Sequence, residues 1–202
     1  MHSINLLIVD ESGSMSGMEG FIKETYHGIL TRIQKEIEET PILKQYIEVW
    51  TFEGRDISQR IGFTPVTENT SSSNFYYRPG GNTPLFDAMG TSLTHLKRRI
   101  METEEFNDAN VNVCILTDGY ENSSREYSGA QISSLVHELK QKGWQFAYFG
   151  TDHDVEYVAQ KLGINHRQSF SKDRSGFRST SRDISEFTHK SKQDFLKSKG
   201  LL

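Results

Sequence analysis

Asp10, Ser12 and Ser14 stand at alternate positions in "VDESGSM", directly after the apolar run over residues 4–9. A carboxylate followed by hydroxyls at this spacing has three chemical readings: a polar turn, a nucleophile site, or a set of hard oxygen ligands for a cation. In extended or turning backbone, residues two apart point the same way, so these three side chains can converge on one point. Two further oxygen-bearing residues open loops later in the chain. Thr83 lies in "RPGGNTPLFDAMG" and Asp118 in "ILTDGYEN". Taken singly, each fragment has a plainer role: Ser12 or Ser14 can cap a helix, Thr83 can cap one before Pro84, and Asp118-Gly119 makes an ordinary turn.

The elements around these residues decide between the readings. Residues 4–9, 111–117 and 144–150 are short apolar runs rich in β-branched or aromatic side chains, and residues 47–52 alternate in part. All four read as strands, the first three as buried ones. Between them lie stretches of helical period, over residues 21–37, 85–101 and 132–139, with a shorter one over 155–162. Strands alternating with helices predict an α/β fold: a Rossmann-like doubly wound sheet, mostly parallel, with helices on both faces. Residues 57–63 read as one antiparallel edge strand, paired hairpin-fashion with 47–52. The Ser- and Arg-biased segment 169–185 reads as a flexible loop, leading to a C-terminal helix over 184–198 that Phe187, Phe195 and Leu196 can dock. No repeat or second-domain boundary is visible, so residues 1–202 are expected to form a single domain.

Asp10 and Asp118 each follow the carboxyl end of a strand. In a doubly wound sheet, those ends form the binding crevice at the switch point. Carboxylates brought together there repel unless protonated or bridged by a cation, and a hard divalent ion takes oxygen ligands. The metal-site reading therefore explains all the fragments at once.

Asp10-x-Ser12-x-Ser14, then Thr83, then Asp118-Gly119, in this order on a βα pattern, resembles the von Willebrand factor type A (vWA) domain and its metal-ion-dependent adhesion site. The resemblance spans roughly residues 3–165. It implies a sheet of order 3-2-1-4-5-6 and a bound Mg²⁺, sometimes replaced by Mn²⁺ or Ca²⁺. It also implies that Asp10, Ser12, Ser14, Thr83 and Asp118 are ligands, some of them through water. Asn82 is a departure, standing between the glycines and the threonine.

A cation ringed largely by neutral oxygens remains electrophilic, and a Glu or Asp of a protein partner can complete its coordination. Tyr76, Tyr77 and Arg78, just before the Thr83 loop, are candidate contacts on the rim, because aromatics and Arg anchor interfaces. Tyr120 and Glu121 are placed on the same rim. Asp87, one turn after Thr83, is expected to support the loop or the helix N-terminus.

Enzyme readings fit less well. A nucleophile elbow needs Gly-x-Ser-x-Gly, and "GSMSG" has Met15 at its centre. Phosphoryl transfer through Asp10 beside Mg²⁺ wants a second carboxylate two residues on and a lysine. Here Ser12 takes the first place, and no lysine lies near the site loops. A subunit or adaptor role in a larger assembly is the remaining alternative. The net charge of -4 is too small for steering by the whole protein's field, and no nucleic-acid partner is expected. No apolar run is long enough to span a membrane, and no secretory leader is evident. The single cysteine, Cys114 in "VNVCILT", reads as a buried hydrophobe and suits a reducing, cytoplasmic setting.

Overall fold

The computed structural model describes residues 1–151 and 155–202. In chain order the elements are β1 (His2–Asp10), α1 (Glu19–Glu39), β2 (Lys44–Glu53), β3 (Asp56–Pro65), α2 (Leu85–Glu102), β4 (Asn110–Leu116), α3 (Gly129–Gln141), β5 (Gln145–Gly150), α4 (Val155–Lys161), β6 (His166–Ser169) and α5 (Arg174–Ser198). The six strands form one sheet of order β3-β2-β1-β4-β5-β6. Every neighbouring pair is parallel except β2 with β3, which makes β3 the antiparallel edge.

Alternation along β1 divides the core. Ile4, Leu6 and Ile8 face a cluster with Leu85, Leu93, Ile132, Val136 and Val155, so α2, α3 and α4 cover that face. Leu7 and Val9 face the opposite cluster with Ile22, Ile29, Ile33, Phe177 and Ile184, which belong to α1 and α5. β1 and β4 are buried along nearly their whole length, as central parallel strands are, and their buried polar side chains pair across the strands, Asn112 with Asn5 and Asn110 with Ser3. Cys114 lies fully inside, and burial pushes its thiol far up from the ordinary value.

One sequence expectation is corrected, and one strand was absent from it. The segment 169–185 is not a flexible loop along its length: β6 ends at Ser169 and α5 already begins at Arg174. The Asp173 carboxylate accepts from Gly176 N–H at 2.8 Å and caps the helix. Phe177, Thr180 and Ile184 then turn inward, at spacings of three and four, against α1. The Ser and Arg residues occupy the other face, so composition alone hid the apolar stripe. The short strand β6, a polar stretch "HRQS", gave no apolar signal at all.

Candidate metal centre

The parallel register sets Val9 of β1 beside Leu116 of β4. One residue further on, Asp10 therefore meets Thr117, whose hydroxyl donates to Asp10 Oδ2 at 2.6 Å. Ser12 N–H donates to Asp10 Oδ1 at 2.7 Å. The chain then tightens into a single 3-10 turn over Gly13–Met15, anchored by fully buried Met15. This turn brings the Ser12 and Ser14 hydroxyls to 3.0 Å from each other. Ser14 Oγ in turn donates to Asp118 Oδ1 at 2.6 Å.

The Thr83 loop is fastened to the same end of the sheet by backbone bonds. Gly13 N–H donates to Gly81 O at 3.0 Å, Gly80 N–H to Glu11 O at 2.9 Å, and Gly54 N–H to Asn82 O at 2.8 Å. Gly81 has φ +61°, and a Cβ there would collide with Glu53 and with the Gly54 backbone. Both the left-handed conformation and the close approach require glycine. Thr83 and Asn122 pair reciprocally, Thr83 N–H donating to Asn122 Oδ1 at 2.9 Å and Asn122 N–H to Thr83 O at 3.1 Å. Thr83 does not cap α2, whose N-cap position is Pro84. Its hydroxyl faces the cluster: a Cβ added to Gly119 would stand 3.1 Å from Thr83 Oγ1 and 3.5 Å from Ser14 Oγ.

Asp10, Ser12, Ser14, Thr83 and Asp118 thus gather at the carboxyl ends of β1 and β4. The set is two carboxylates and three hydroxyls, all hard oxygen, and it fits Mg²⁺, Mn²⁺ or Ca²⁺ rather than a soft metal. Among the described residues no group of three or more His, Cys, Asp and Glu gathers in a metal-holding arrangement, so hydroxyl oxygens are indispensable to any ion held here. Asp10 is fully buried. Burial raises its pKa to about 6, against the bonds from Thr117 and Ser12 that favour the charged form, and the neighbouring Asp118 adds to the rise. A carboxylate held in so unfavourable a setting is one that a cation would relieve.

The expected rim is partly corrected. Tyr76, Arg78 and Tyr120 are exposed, and Arg60 lies over the Tyr76 ring at 5.5 Å. Tyr77 is not on the rim: it is buried, and its hydroxyl donates to Asp10 O at 2.5 Å. A buried phenol in "NFYYRPGGN" alternates inward with Phe75, which is also buried. Glu121 is committed internally as well. Its carboxylate accepts from Phe86 N–H at 2.9 Å, from Ser123 and Ser124 N–H at 2.9 and 2.7 Å, and from Ser124 Oγ at 2.6 Å. It satisfies an orphan donor at the start of α2, leaving little to offer a partner. Asp87 supports the opposite loop, accepting from the N–H groups of Arg125, Glu126 and Tyr127.

Three residues at the centre escaped the sequence reading. Glu11, fully buried, accepts from Arg60 Nη2 at 2.7 Å and from Arg78 N–H, so it fixes the start of the Thr83 loop. Thr117 orients Asp10 as described above. Lys172 Nζ lies 2.5 Å from Asp118 Oδ2, although no lysine is near the site loops in sequence. Its neighbourhood with Asp118 crosses 54 positions of chain and is visible only once β6 is placed beside β5.

No family model matches the chain, and no curated protein matches it. Solved structures do. The SpRpn10 VWA domain is 12% identical, with a TM-score of 0.59, covering 88% of this chain and 92% of that one. Manganese-loaded TRAP protein of Plasmodium vivax is 16% identical with a TM-score of 0.63, over 93% of this chain and 73% of that one. The pilus adhesin SpaC of Lactobacillus rhamnosus GG, in an open conformation, is 14% identical with a TM-score of 0.63; the match covers 93% of this chain and 30% of SpaC. At these identities the likeness is one of architecture. Sheet order, the single antiparallel edge and these matches agree that the chain has the fold of a von Willebrand factor type A domain.

Proposed function

We propose that this protein is a divalent-metal-dependent binding module that recognises an acidic side chain of a partner protein. The observation that carries the reading is the convergence of Asp10, Ser12, Ser14, Thr83 and Asp118 from distant loops onto one end of the sheet. One solved neighbour is described as manganese-loaded and another as an adhesin, which accords with metal binding and with protein binding on this fold.

Each residue has a distinct part. Ser12, Ser14 and Thr83 offer neutral oxygens, and Asp10 and Asp118 offer charge from buried positions. A divalent ion bound among them supplies an electrophile that an incoming carboxylate completes. Thr117 and the Ser12 amide hold Asp10 in one orientation, while Tyr77 ties its carbonyl to the aromatic layer beneath. Exposed Tyr76 and Tyr120 are the aromatic surfaces nearest this chemistry in sequence and serve as interface anchors. With all its oxygens on one domain face, the site works equally for a free-standing module and for a subunit of an assembly.

Phosphoryl transfer through Asp10 is the competing reading, and Lys172 supplies the lysine it lacked in sequence. Access counts against it. Asp10 is fully buried, and both carboxylate oxygens already accept hydrogen bonds, from Ser12 N–H and Thr117 Oγ1. A nucleophile must reach its phosphorus in line, and the bonds that hold this carboxylate in the turn oppose that approach.

Phage-displayed random peptides selected on the protein in Mg²⁺ test the proposal. Peptides sharing an Asp or Glu at one position are expected, released by EDTA and not enriched on the Ser12→Ala, Ser14→Ala double variant. Equal binding in EDTA, or enrichment without a shared acid, overturns it.

A further inference from the structure

We infer that Lys172 is the resident counter-cation of the metal centre: it holds Asp118 while the site is metal-free, must be displaced when a divalent ion enters, and so sets the affinity of the site for that ion. This inference rests on the metal-centre reading above.

The contact is built, not incidental. Phe170 is buried, and its N–H donates to Gly150 O at 2.8 Å, extending the pairing of β6 with β5. Three residues on, Asp173 caps α5 through Gly176 N–H at 2.8 Å and Ser175 Oγ at 2.7 Å. Gly176 packs against Ser171 so closely that any Cβ would strike its backbone. The segment 170–173 is therefore pinned at both ends, with Lys172 between the pins. Its ammonium reaches Asp118 Oδ2 at 2.5 Å, while Ser14 Oγ occupies Oδ1. Thr151 Oγ1 donates to the Asp118 carbonyl at 2.9 Å and steadies the same residue.

Charge explains why the contact matters. Asp118's side chain has no exposure, and Asp10 raises the local negative potential. A buried carboxylate without a cation is costly, so some cation is always favoured here. Lys172 is 40% exposed, so its ammonium loses little by leaving for water. A divalent ion brings twice the charge to the same oxygens, whereas a monovalent ion gains nothing over the ammonium already present. Lys172 thereby discriminates by charge as well as lowering affinity. Lys172 also lines a cavity of ≈ 420 Å³ whose walls include Tyr148, Val155 and Phe170.

Calorimetric titration with Mn²⁺ alone tests this on the wild type, Lys172→Gln, Lys172→Arg and Asp118→Asn. Lys172→Gln is expected to bind Mn²⁺ about tenfold more tightly, the range of one partly exposed ion pair. Lys172→Arg is expected to stay near wild type, since it keeps the charge. Metal-free Lys172→Gln is expected to melt lower than wild type, with a larger upward shift on adding Mn²⁺. Wild-type binding that Lys172→Gln leaves unchanged or weakens overturns the role of Lys172 and leaves the metal centre standing. No Mn²⁺ binding by wild type or by Lys172→Gln overturns the metal centre and the inference together. Binding undiminished in Asp118→Asn places the ion elsewhere and does the same.

Discussion

Ser14 Oγ donates to Asp118 Oδ1 across 2.6 Å, although 104 residues of chain separate them. The bond ties the turn after β1 to the loop after β4, and it exists only because those strands are parallel neighbours at the switch point. Replacing Ser12 and Ser14 together by alanine removes neutral oxygens from the cluster while leaving the buried anchor Met15 in place. Mn²⁺ affinity should fall by at least about tenfold, with the far-UV circular dichroism of the metal-free protein unchanged. Undiminished affinity would remove these hydroxyls from the ligand set.

Gly81 holds the third loop against the first two. Gly81→Ala forces a side chain into a left-handed backbone and onto the Gly54 backbone. Denaturant unfolding should show a loss of roughly 1–3 kcal/mol. Because Thr83 lies two residues on, metal affinity should fall in the same variant. Full stability in Gly81→Ala would mean that the loop is not held as described.

Adjacent tyrosines should behave oppositely. Tyr77→Phe strands the buried Asp10 carbonyl, whose partner is the Tyr77 hydroxyl, and should cost about 1–3 kcal/mol of stability. Tyr76, 56% exposed, should tolerate alanine within about 0.5 kcal/mol. Affinity for an acidic peptide selected in Mg²⁺ should instead drop in Tyr76→Ala. Equal stability losses in the pair would contradict the burial assignment.

The α1–α5 interface contains a buried charge network. Lys192 Nζ contacts Glu36 Oε2 and donates to Gln45 Oε1 at 2.9 Å, while Arg32 Nε and His189 Nδ1 lie 3.0 and 2.9 Å from Glu36 Oε1. Burial alone would raise the Glu36 pKa, but the Lys192 charge and hydrogen bond overcome it and hold the group below its ordinary 4.5. A depressed carboxylate contributes stability that is present above 4.5 and lost as pH falls through the lower folded value. Glu36→Gln should therefore be strongly destabilised at neutral pH, by about 3–5 kcal/mol, because Lys192 is left buried without an anionic partner. The gap from wild type should narrow steadily once the pH passes below 4.5. Chemical unfolding across the acid range checks this, and a gap independent of pH would contradict the pairing.

Much of this arrangement was legible in the sequence, for physical reasons. Apolar runs marked β1, β4 and β5 because strands buried on both faces are mostly apolar, and the few polar side chains inside, such as Asn5 and Asn112, pair with each other. Carboxylates just past two of them pointed to one end of the sheet, where the structure brings Asp10, Ser12, Ser14, Thr83 and Asp118 together. What stayed hidden were pairings that no local pattern encodes. β6 is polar and only four residues long. The start of α5 presents serines and arginines to solvent, and its apolar stripe is only Phe177 and Ile184 wide at that point. Nothing local marks Glu11 as buried, because its partner Arg60 lies 49 positions on. Tyr76 and Tyr77 looked equivalent, and only the turn before Gly80 decides which of them faces inward.

The central claim is that the oxygens of Asp10, Ser12, Ser14, Thr83 and Asp118 hold one divalent ion. Anomalous diffraction from crystals grown in Mn²⁺ tests it most directly. The account predicts a single strong peak among these side chains, absent from crystals of the Ser12→Ala, Ser14→Ala variant. Well-ordered loops around a position with no peak, or a peak elsewhere on the molecule, would contradict it.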